Sequence, residues 1–195
     1  MKALSNFLPG AASATKRHAE RRILRTSPSH LLKVVADVDS YSQFLPLCSK
    51  SKILRRSECG TMFDASLTVG MPPIFREDYV SRVKVDGDAM TVEARSIRST
   101  VFDSLRSKWT LRSVPSIDDD EGRENVAEDI FGGACSHSEV PGGIVKEEWC
   151  DVEFEVEMRV SDPIIVGVLS QVLEEVARRQ VAAFERRCAE VAMER

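Results

Sequence analysis

The residues that could perform chemistry in this chain are few and lie far apart in the sequence. No two histidines stand at metal-ligand spacing, and none falls on the inward face of a predicted strand. The sequence contains no GxSxG, no P-loop and no GxGxxG. The histidines are His18, His30 and His137, and the cysteines are Cys48, Cys59, Cys135, Cys150 and Cys188. This inventory argues against a metal-dependent hydrolase and a nucleotide-dependent enzyme, and we predict no metal site.

Two positions retain some catalytic potential. Cys48 follows a Pro-Leu turn and would need a base to become a nucleophile, but no histidine has a readable relation to it. Glu77 and Asp78 are adjacent in a predicted strand, so one of the two carboxylates should point inward. If that carboxylate is buried, we expect a raised pKa and a role as acid or base. The interpretation we favour is a rim carboxylate paired with Arg76 or Arg82.

The last third of the chain predicts the elements that would position any site. Over residues 150–160, apolar and charged side chains alternate without an error, which indicates a strand with one dry and one wet face. Asp162 and Pro163 then open a stretch with helical spacing that runs nearly to the C-terminus. A long amphipathic helix needs an apolar surface, and the dry face of the sheet is the simplest partner. A curved sheet around such a helix leaves a space suited to an apolar ligand.

The preceding residues predict a strand, two short helices and five further strands. Residues 20–25 form the first strand, and Ser27 with Pro28 begins a helix that ends at Asp39. Residues 40–47 add a second helical turn. The further strands are 49–57, 61–69, 75–85, 89–97 and 105–114. The last of these has Trp109 and Leu111 on its inward face and cations on its outward face. Because those cations match the acidic row of 150–160, we expect the two strands to be neighbours.

Composition places the chain among ordinary globular domains. Its 195 residues are 43% hydrophobic and 30% charged, and its net charge of −4 gives no overall drive toward nucleic acid. No apolar run approaches the roughly 20 residues that span a bilayer. The five cysteines contain no CxxC and no close pair, which fits a reducing compartment. Cys150 and Cys188 fall on predicted apolar faces, so we interpret them as core residues.

Two segments depart from this pattern. Residues 1–17 contain no acid and many Ser and Ala, so we predict a flexible tail, which is either the remnant of a mitochondrial transit peptide or a plain extension. Residues 18–195 are predicted to form one domain with a mobile insertion at 115–146, which has no periodicity. The acidic run 118–121 in this insertion matches no calcium loop, so we interpret it as solvated.

Two apolar loops are candidates for the mouth of the cavity. The segment 41–47 is aromatic and aliphatic and is followed by Lys50 and Lys52. An apolar tip flanked by lysines is how a peripheral protein inserts among lipid head groups. The alternative is that this segment caps the core. The second loop runs from Gly70 to Ile74, and its Met71 is either packing or gate.

Four segments occur in a characteristic order and spacing. They are ERRIL at 20–24, VVADV at 34–38 followed by Tyr41, Phe44, Leu45 and Pro46, VG at 69–70 before Pro72 and Pro73, and VAAFERRC at 181–188. Together they resemble the coenzyme Q-binding proteins of the polyketide cyclase/START-like superfamily. Leu47 stands where that family often has an aromatic residue, and Met71 stands where phenylalanine is usual.

The resemblance implies an α+β helix-grip fold, in which a curved antiparallel sheet wraps a long C-terminal helix and two short helices separate the first two strands. It implies a non-enzymatic chaperone or carrier that binds ubiquinone or a related isoprenoid quinone and supports respiration and coenzyme Q synthesis. No cofactor besides that ligand, no metal and no nucleic acid is expected, and the oligomeric state is left open. The expected location is the matrix side of the mitochondrial inner membrane, as a peripheral protein. The expected ligand-binding residues are Tyr41, Phe44, Leu45, Pro46, Leu67, Val69, Met71, Pro72, Pro73, Trp109, Phe154, Val172, Val176 and Phe184.

Two rival functions stay open at this point. A cyclase- or aromatase-like enzyme of the same superfamily needs a polar group inside the cavity, and Glu77, Asp78 and Tyr79 are the nearest candidates. A ribosome-associating interaction module would co-sediment with ribosomes, although the acidic net charge argues against it.

Overall fold

A computed structural model of the protein describes residues 13–73, 75–114 and 148–193. The strands of this part are β1 (Ala14–Leu24), β2 (Cys48–Arg56), β3 (Met62–Met71), β4 (Phe75–Asp86), β5 (Thr91–Arg98), β6 (Ser104–Val114) and β7 (Trp149–Val160). The helices are α1 (Pro28–Ala36), α2 (Tyr41–Phe44) and α3 (Pro163–Met193), with a 3-10 turn at Val38–Ser40. The strands form one antiparallel sheet in the order β1-β7-β6-β5-β4-β3-β2. The predicted order of elements is confirmed.

The pairing of β6 with β7 follows the predicted charge match. Arg106 lies opposite Glu157, Lys108 lies opposite Glu155, and Trp109 lies opposite Phe154. Apolar residues of both strands therefore share the inner face, while cations and carboxylates alternate on the outer face. The other neighbour of β7 is β1, so the first strand of the fold pairs with the last one.

Side-chain caps begin the helices where the sequence predicts them. The Ser27 hydroxyl accepts a hydrogen bond from the backbone N–H of His30 at 3.2 Å, and Pro28 occupies the first helical position. Oδ1 of Asp162 accepts hydrogen bonds from the backbone N–H groups of Ile164 and Ile165 at 2.8 and 3.2 Å. Both caps satisfy donors that the first turn of a helix leaves without intrahelical partners.

The core lies between the inner face of the sheet and α3. Phe154 on β7 and Phe184 on α3 are almost completely buried, as are Cys150 and Cys188, which confirms the prediction that these two cysteines are core residues. The two halves of α3 differ, because the first half buries only Leu169 and Ala177. The buried residues of the second half are Val181, Ala183, Phe184 and Cys188.

The N-terminal boundary differs from the prediction. Strand β1 begins at Ala14 and ends at Leu24, whereas the sequence suggested 20–25, so residues 14–17 belong to the sheet and not to a tail. Polar side chains such as His18 and Glu20 hide this strand from a search for apolar alternation. Residues 1–12 and 115–147 lie outside the described residues, and so does most of what was predicted for the tail and the insertion.

Candidate functional site

An apolar cavity of about 200 Å³ lies between the inner face of the sheet and α3. Its walls come from β3 to β7, from the segment around α2 and from one side of α3. Alternation along each strand turns every second side chain toward the cavity. On α3, residues three or four positions apart share the side that faces the cavity. The predicted ligand-binding residues that line the cavity are Tyr41, Leu45, Pro46, Leu67, Val69, Trp109, Val172 and Val176.

Three of the predicted residues lie behind the cavity wall. The Phe184 ring centroid is 5.3 Å from that of Phe44 and 4.8 Å from that of Trp109. The Phe154 and Trp109 rings are 4.5 Å apart. Phe44 and Tyr41 also make an edge contact, with their ring centroids 5.9 Å apart. The aromatic cluster of Phe44, Phe154 and Phe184 therefore supports Tyr41 and Trp109, which themselves face the cavity.

The apolar loop after β3 lies beside the cavity. Val69 and Gly70 line it, whereas Pro72 and Pro73 are exposed, and the side chain of Met71 lies outside the described residues. The backbone N–H of Gly70 donates to the carbonyl of Leu47 at 3.0 Å, which ties this loop to the segment after α2. The two predicted mouth segments are thus adjacent in the fold.

Several lining residues are absent from the predicted ligand-binding set. Tyr79 was named from the sequence only as a candidate polar group of a cyclase-like enzyme, and it faces the cavity from β4, as strand alternation around the inward Val83 implies. Met158 likewise lies on the predicted dry face of β7. Phe102 stands in the turn between β5 and β6, where no periodicity predicts the direction of a side chain. Gln180 lines the cavity from α3 and brings a polar group to it.

The polar groups of the cavity fall into two sets. The Tyr41 hydroxyl donates to the carbonyl of Val35, and the Ser81 hydroxyl donates to the carbonyl of Arg95 at 3.3 Å. The side chains of Tyr79, Ser107 and Gln180 form no hydrogen bond within the described part of the chain. These three side chains are available to oxygen atoms of a ligand.

Titratable groups that line the cavity stay neutral. Burial raises the pKa of the Cys48 thiol to about 11, and its hydrogen bond to the Lys50 carbonyl only partly offsets this. Burial also raises the pKa values of the Tyr41 and Tyr79 hydroxyls. A protonated thiol is a poor nucleophile, so Cys48 does not fit the catalytic role weighed from the sequence.

Glu77 is buried, and its surroundings keep it charged. Burial alone would raise its pKa, but hydrogen bonds from Ser99, Thr100 and the backbone of Val101 hold the pKa below its usual value. The hydroxyls of Ser99 and Thr100 each donate at 2.7 Å, and the Thr100 backbone N–H donates at 2.6 Å. The carboxylate thereby fixes the turn that carries Phe102 to the cavity wall. The prediction that a buried carboxylate here has a raised pKa is wrong, because the hydrogen-bond donors together lower the pKa of Glu77 more than burial raises it.

The predicted ion pair between a rim carboxylate, Glu77 or Asp78, and Arg76 or Arg82 is also wrong. Asp78 is exposed and accepts a hydrogen bond from the Thr68 hydroxyl. Arg82 instead pairs with Asp64, whose carboxylate lies 2.8 Å from it. Strand alternation separates Glu77 on the inner face from Arg82 on the outer face, and Asp78, although on the outer face, lies four residues, or about 13 Å, from Arg82 along β4.

No group of three or more His, Cys, Asp or Glu residues in the described ranges is arranged to hold a metal ion. His30 is engaged elsewhere, since its Nε2 atom lies 3.0 Å from the carbonyl oxygen of Cys188. Among the described residues, no helix combines the length and the apolarity needed to cross a bilayer.

The sequence profile of the family described as polyketide cyclase / dehydrase and lipid transport matches residues 24–185. The chain belongs to this family. The match begins at the end of β1, ends in the last turns of α3, and so includes every wall of the cavity.

Curated members similar to this chain include two coenzyme Q-binding proteins. Coenzyme Q-binding protein coq10, mitochondrial, of Schizosaccharomyces pombe is 32% identical over 91 residues, which are 46% of this chain and 55% of that protein. Coenzyme Q-binding protein COQ10 homolog B, mitochondrial, of Xenopus laevis is 25% identical over 183 residues, covering 94% of this chain and 62% of that protein. The chain therefore spans somewhat more than half the length of these relatives.

Solved structures show the same fold at low sequence identity. A START superfamily protein from Mycobacterium smegmatis superposes with a TM-score of 0.64 at 13% identity, covering 90% of this chain and 98% of that chain. The Zhui aromatase/cyclase from Streptomyces sp. R1128 gives a TM-score of 0.61 at 10% identity, covering 90% and 94%. The predicted START-like helix-grip fold is confirmed.

Proposed function

We propose that this protein is a non-enzymatic carrier or chaperone of ubiquinone or a related isoprenoid quinone. The observation that carries the proposal is the uncharged, largely apolar cavity between the sheet and α3. Similarity to proteins named for coenzyme Q binding supports the same ligand class. Burial of a polyprenyl chain contributes about 25 cal/mol per Å² of apolar area, so an apolar cavity retains such a ligand without a charged motif.

The position of the free polar groups supports a binding mode. Tyr79, Ser107, Gln180 and the indole N–H of Trp109 are the cavity side-chain groups without hydrogen-bond partners in the described part of the chain. The carbonyl and methoxy oxygens of a quinone ring are acceptors, which suit the Tyr79 hydroxyl and the Gln180 amide as donors. The ring binds near these side chains, and the apolar tail extends along α3.

The size of the cavity requires a change on binding. About 200 Å³ is below the roughly 300–1,000 Å³ usual for small-molecule sites, so a quinone with a tail needs more room. The first half of α3 is held by fewer buried residues than the second half. Ligand binding therefore displaces the first half of α3 while the second half stays packed in the core.

The names of the relatives support a mitochondrial setting. The two coenzyme Q-binding proteins are named as mitochondrial, and an isoprenoid quinone resides in the bilayer. The protein acts as a peripheral protein on the matrix side of the inner membrane, where it supports respiration and coenzyme Q synthesis.

Lipid extraction tests this function. The protein is purified from cells that make ubiquinone, extracted with organic solvent and analysed by mass spectrometry, and uptake from quinone-loaded liposomes is measured in parallel. Val172→Trp fills the cavity and should abolish co-purification, whereas Glu174→Trp on the exposed side of the same helix should not. Absence of any quinone from the wild-type extract, together with no uptake, would overturn the proposal.

A cyclase-like activity is the second candidate, because Tyr79 presents a free hydroxyl to the cavity and the Zhui aromatase/cyclase shares the fold. Glu77 and Asp78 do not support it, since one is engaged by a turn and the other lies on the outer face. Turnover of a polyketide by the wild type that is lost in Tyr79→Phe would favour the enzyme.

An interaction module is the third candidate. The Ribosome association toxin RatA of Pseudomonas aeruginosa is 29% identical over 98 residues, covering 50% of this chain and 65% of that protein. Co-sedimentation with ribosomes at physiological salt would favour this role, and its absence would leave the quinone carrier.

A further inference from the structure

The outer face of the sheet, opposite the apolar cavity, carries one continuous row of charged residues. Each member lies directly across from the next in the strand register, so the row crosses all seven strands. In spatial order the row is Arg55, Asp64, Arg82, Arg95, Arg106, Glu157 and Arg17. Five of its seven members are arginines, although the whole chain is acidic.

The two ends of this row are neutralised by ion pairs. Asp64 lies 2.8 Å from Nε of Arg55 and 2.8 Å from Nε of Arg82. These arginines hold the pKa of Asp64 at about 2, so the carboxylate stays charged at neutral pH. At the other end, Glu157 lies 2.5 Å from Arg17.

The middle of the row is not neutralised. Arg95 lies between Arg82 and Arg106 on the neighbouring strands, and neither Arg95 nor Arg106 forms an ion pair with any described residue. Like charges placed directly opposite each other destabilise a sheet. Three adjacent guanidinium groups with one carboxylate partner among them therefore leave an excess of positive charge at a defined place.

A concavity of about 830 Å³ opens over this place. Arg82, Arg95 and Arg106 line it, together with Lys84 and Lys108 from the next cross-strand row. Its lining contains six Arg and Lys side chains against three carboxylates. It is larger than the apolar cavity and lies on the opposite face of the sheet, so it is a separate site.

The shape of this charge distribution favours a compact ligand. Neighbouring strands are about 4.8 Å apart, so the three central arginines span only about 10 Å. Asp64 and Glu157 flank the three arginines, one on each side. Their carboxylates would repel a long polyanion or a flat anionic membrane that continued along the row. Among the described residues that line the concavity there is no Phe, Tyr or Trp, so it offers no extended stacking platform for nucleic-acid bases.

We propose that Arg82, Arg95 and Arg106 form a binding site for a compact phosphate-bearing anion of the size of diphosphate. Guanidinium groups bind phosphate oxygens in a bidentate fashion and stay charged at all physiological pH values. Asp64 orients Arg82 through two hydrogen bonds, at 2.8 and 3.2 Å, before any ligand arrives. A bound anion removes the repulsion among the three arginines, so binding stabilises the fold.

Isothermal titration calorimetry with inorganic pyrophosphate, at constant ionic strength, tests this site on the full chain. The wild type should show saturable binding, and thermal unfolding should show that pyrophosphate raises its Tm. Arg95→Gln should weaken binding by about tenfold, which corresponds to the loss of one charge-assisted interaction. Lys33→Gln removes an exposed cation from α1 and should bind like the wild type. Without ligand, Arg95→Gln should unfold at the same temperature as the wild type or higher, since it removes a repulsion.

Three outcomes would overturn the proposal. One is the absence of saturable pyrophosphate binding, and another is equal binding by the wild type and Arg95→Gln. The third is Arg95-dependent binding to vesicles that contain anionic phospholipid without binding of soluble pyrophosphate, which would assign the row to a membrane surface. Comparison of pyrophosphate with ADP then shows whether the site accepts a diphosphate that carries an organic group.

Discussion

At the scale of single residues, the two cavity tyrosines have different roles. The Tyr41 hydroxyl is engaged by the Val35 carbonyl, whereas the Tyr79 hydroxyl has no hydrogen-bond partner in the described part of the chain. One hydroxyl therefore stabilises the protein, and the other is free for a ligand.

Tyr79→Phe should weaken quinone binding and leave stability nearly unchanged. One hydrogen bond contributes about 0.5–1.5 kcal/mol, which corresponds to a loss of affinity between about twofold and tenfold. Quinone titration by fluorescence quenching of the two tryptophans measures the affinity, and thermal unfolding measures the stability. In Tyr41→Phe the buried carbonyl loses its donor, so stability should fall by about 1–2 kcal/mol. Equal affinity of Tyr79→Phe and wild type would show that the hydroxyl does not contact the ligand.

Glu77→Gln should destabilise the protein in a pH-dependent way. The folded-state pKa of Glu77 lies below its usual value, so its contribution is present above the unfolded pKa and is lost as pH falls through the folded pKa. At pH 7 we expect a loss of about 1–3 kcal/mol, because the amide accepts from the turn less strongly than the carboxylate does. As pH falls below the ordinary glutamate pKa of about 4.3 and then through the folded-state pKa, the free energies of unfolding of variant and wild type should converge. Urea unfolding at several pH values measures this, and a difference independent of pH would contradict the proposed role of the charge.

At the scale of elements, α3 has one half that is firmly packed and one that is not. Its exposed apolar ends allow a matched test of membrane docking, since Ile164 is 73% exposed at the first turn and Met193 is 81% exposed at the last turn. Ile165 and Leu169, close to Ile164, pack with Phe102 of the cavity wall. The first turn therefore lies beside the cavity wall, where we predict that it borders the mouth, whereas Met193 lies at the far end of the helix.

Ile164→Glu should reduce binding to anionic liposomes and slow quinone uptake, because a charge opposes insertion among acyl chains. Its Tm should stay within about 2 °C of the wild type, as expected for an exposed position. Met193→Glu makes the same change at the other end and should leave binding intact. Flotation assays and thermal unfolding measure both properties. Equal flotation of the two variants would place the docking surface elsewhere.

Comparison of the elements shows where sequence patterns succeed. Strand β7 and helix α3 have strict periods of two and of about 3.6 residues, because each has one buried face, and both were predicted almost to the residue. Strand β1 was missed over its first half, because the polar side chains of Lys16 and His18 occupy its inner face. Phe102 was missed and Glu77 was misjudged, because the surroundings of both depend on a turn whose hydrogen bonds have no sequence period.

At the scale of the whole molecule, the two faces of one sheet have opposite character. The inner face and α3 enclose an uncharged cavity, whereas the outer face concentrates arginines around Arg95. Alternation along each strand gives one face its odd-numbered side chains and the other face its even-numbered ones, or the reverse, so a shift of one residue in a strand's register would exchange its two sets. The sequence predicted the acidic and cationic rows of β6 and β7, but the seven-strand row depends on every register and could not be predicted from any single strand.

The pairing of β1 with β7 has a consequence for how the chain reaches its fold. Arg21 and Asp151 are joined by two hydrogen bonds, at 2.9 and 2.8 Å, although they are 130 residues apart in the sequence. Contacts between distant parts of a chain slow folding, because a large loop must close before they form. During synthesis, β1 is made first and finds no partner until β7 has left the ribosome. The sheet is therefore complete only after β7 has been made, and its first strand depends on a partner made more than a hundred residues later.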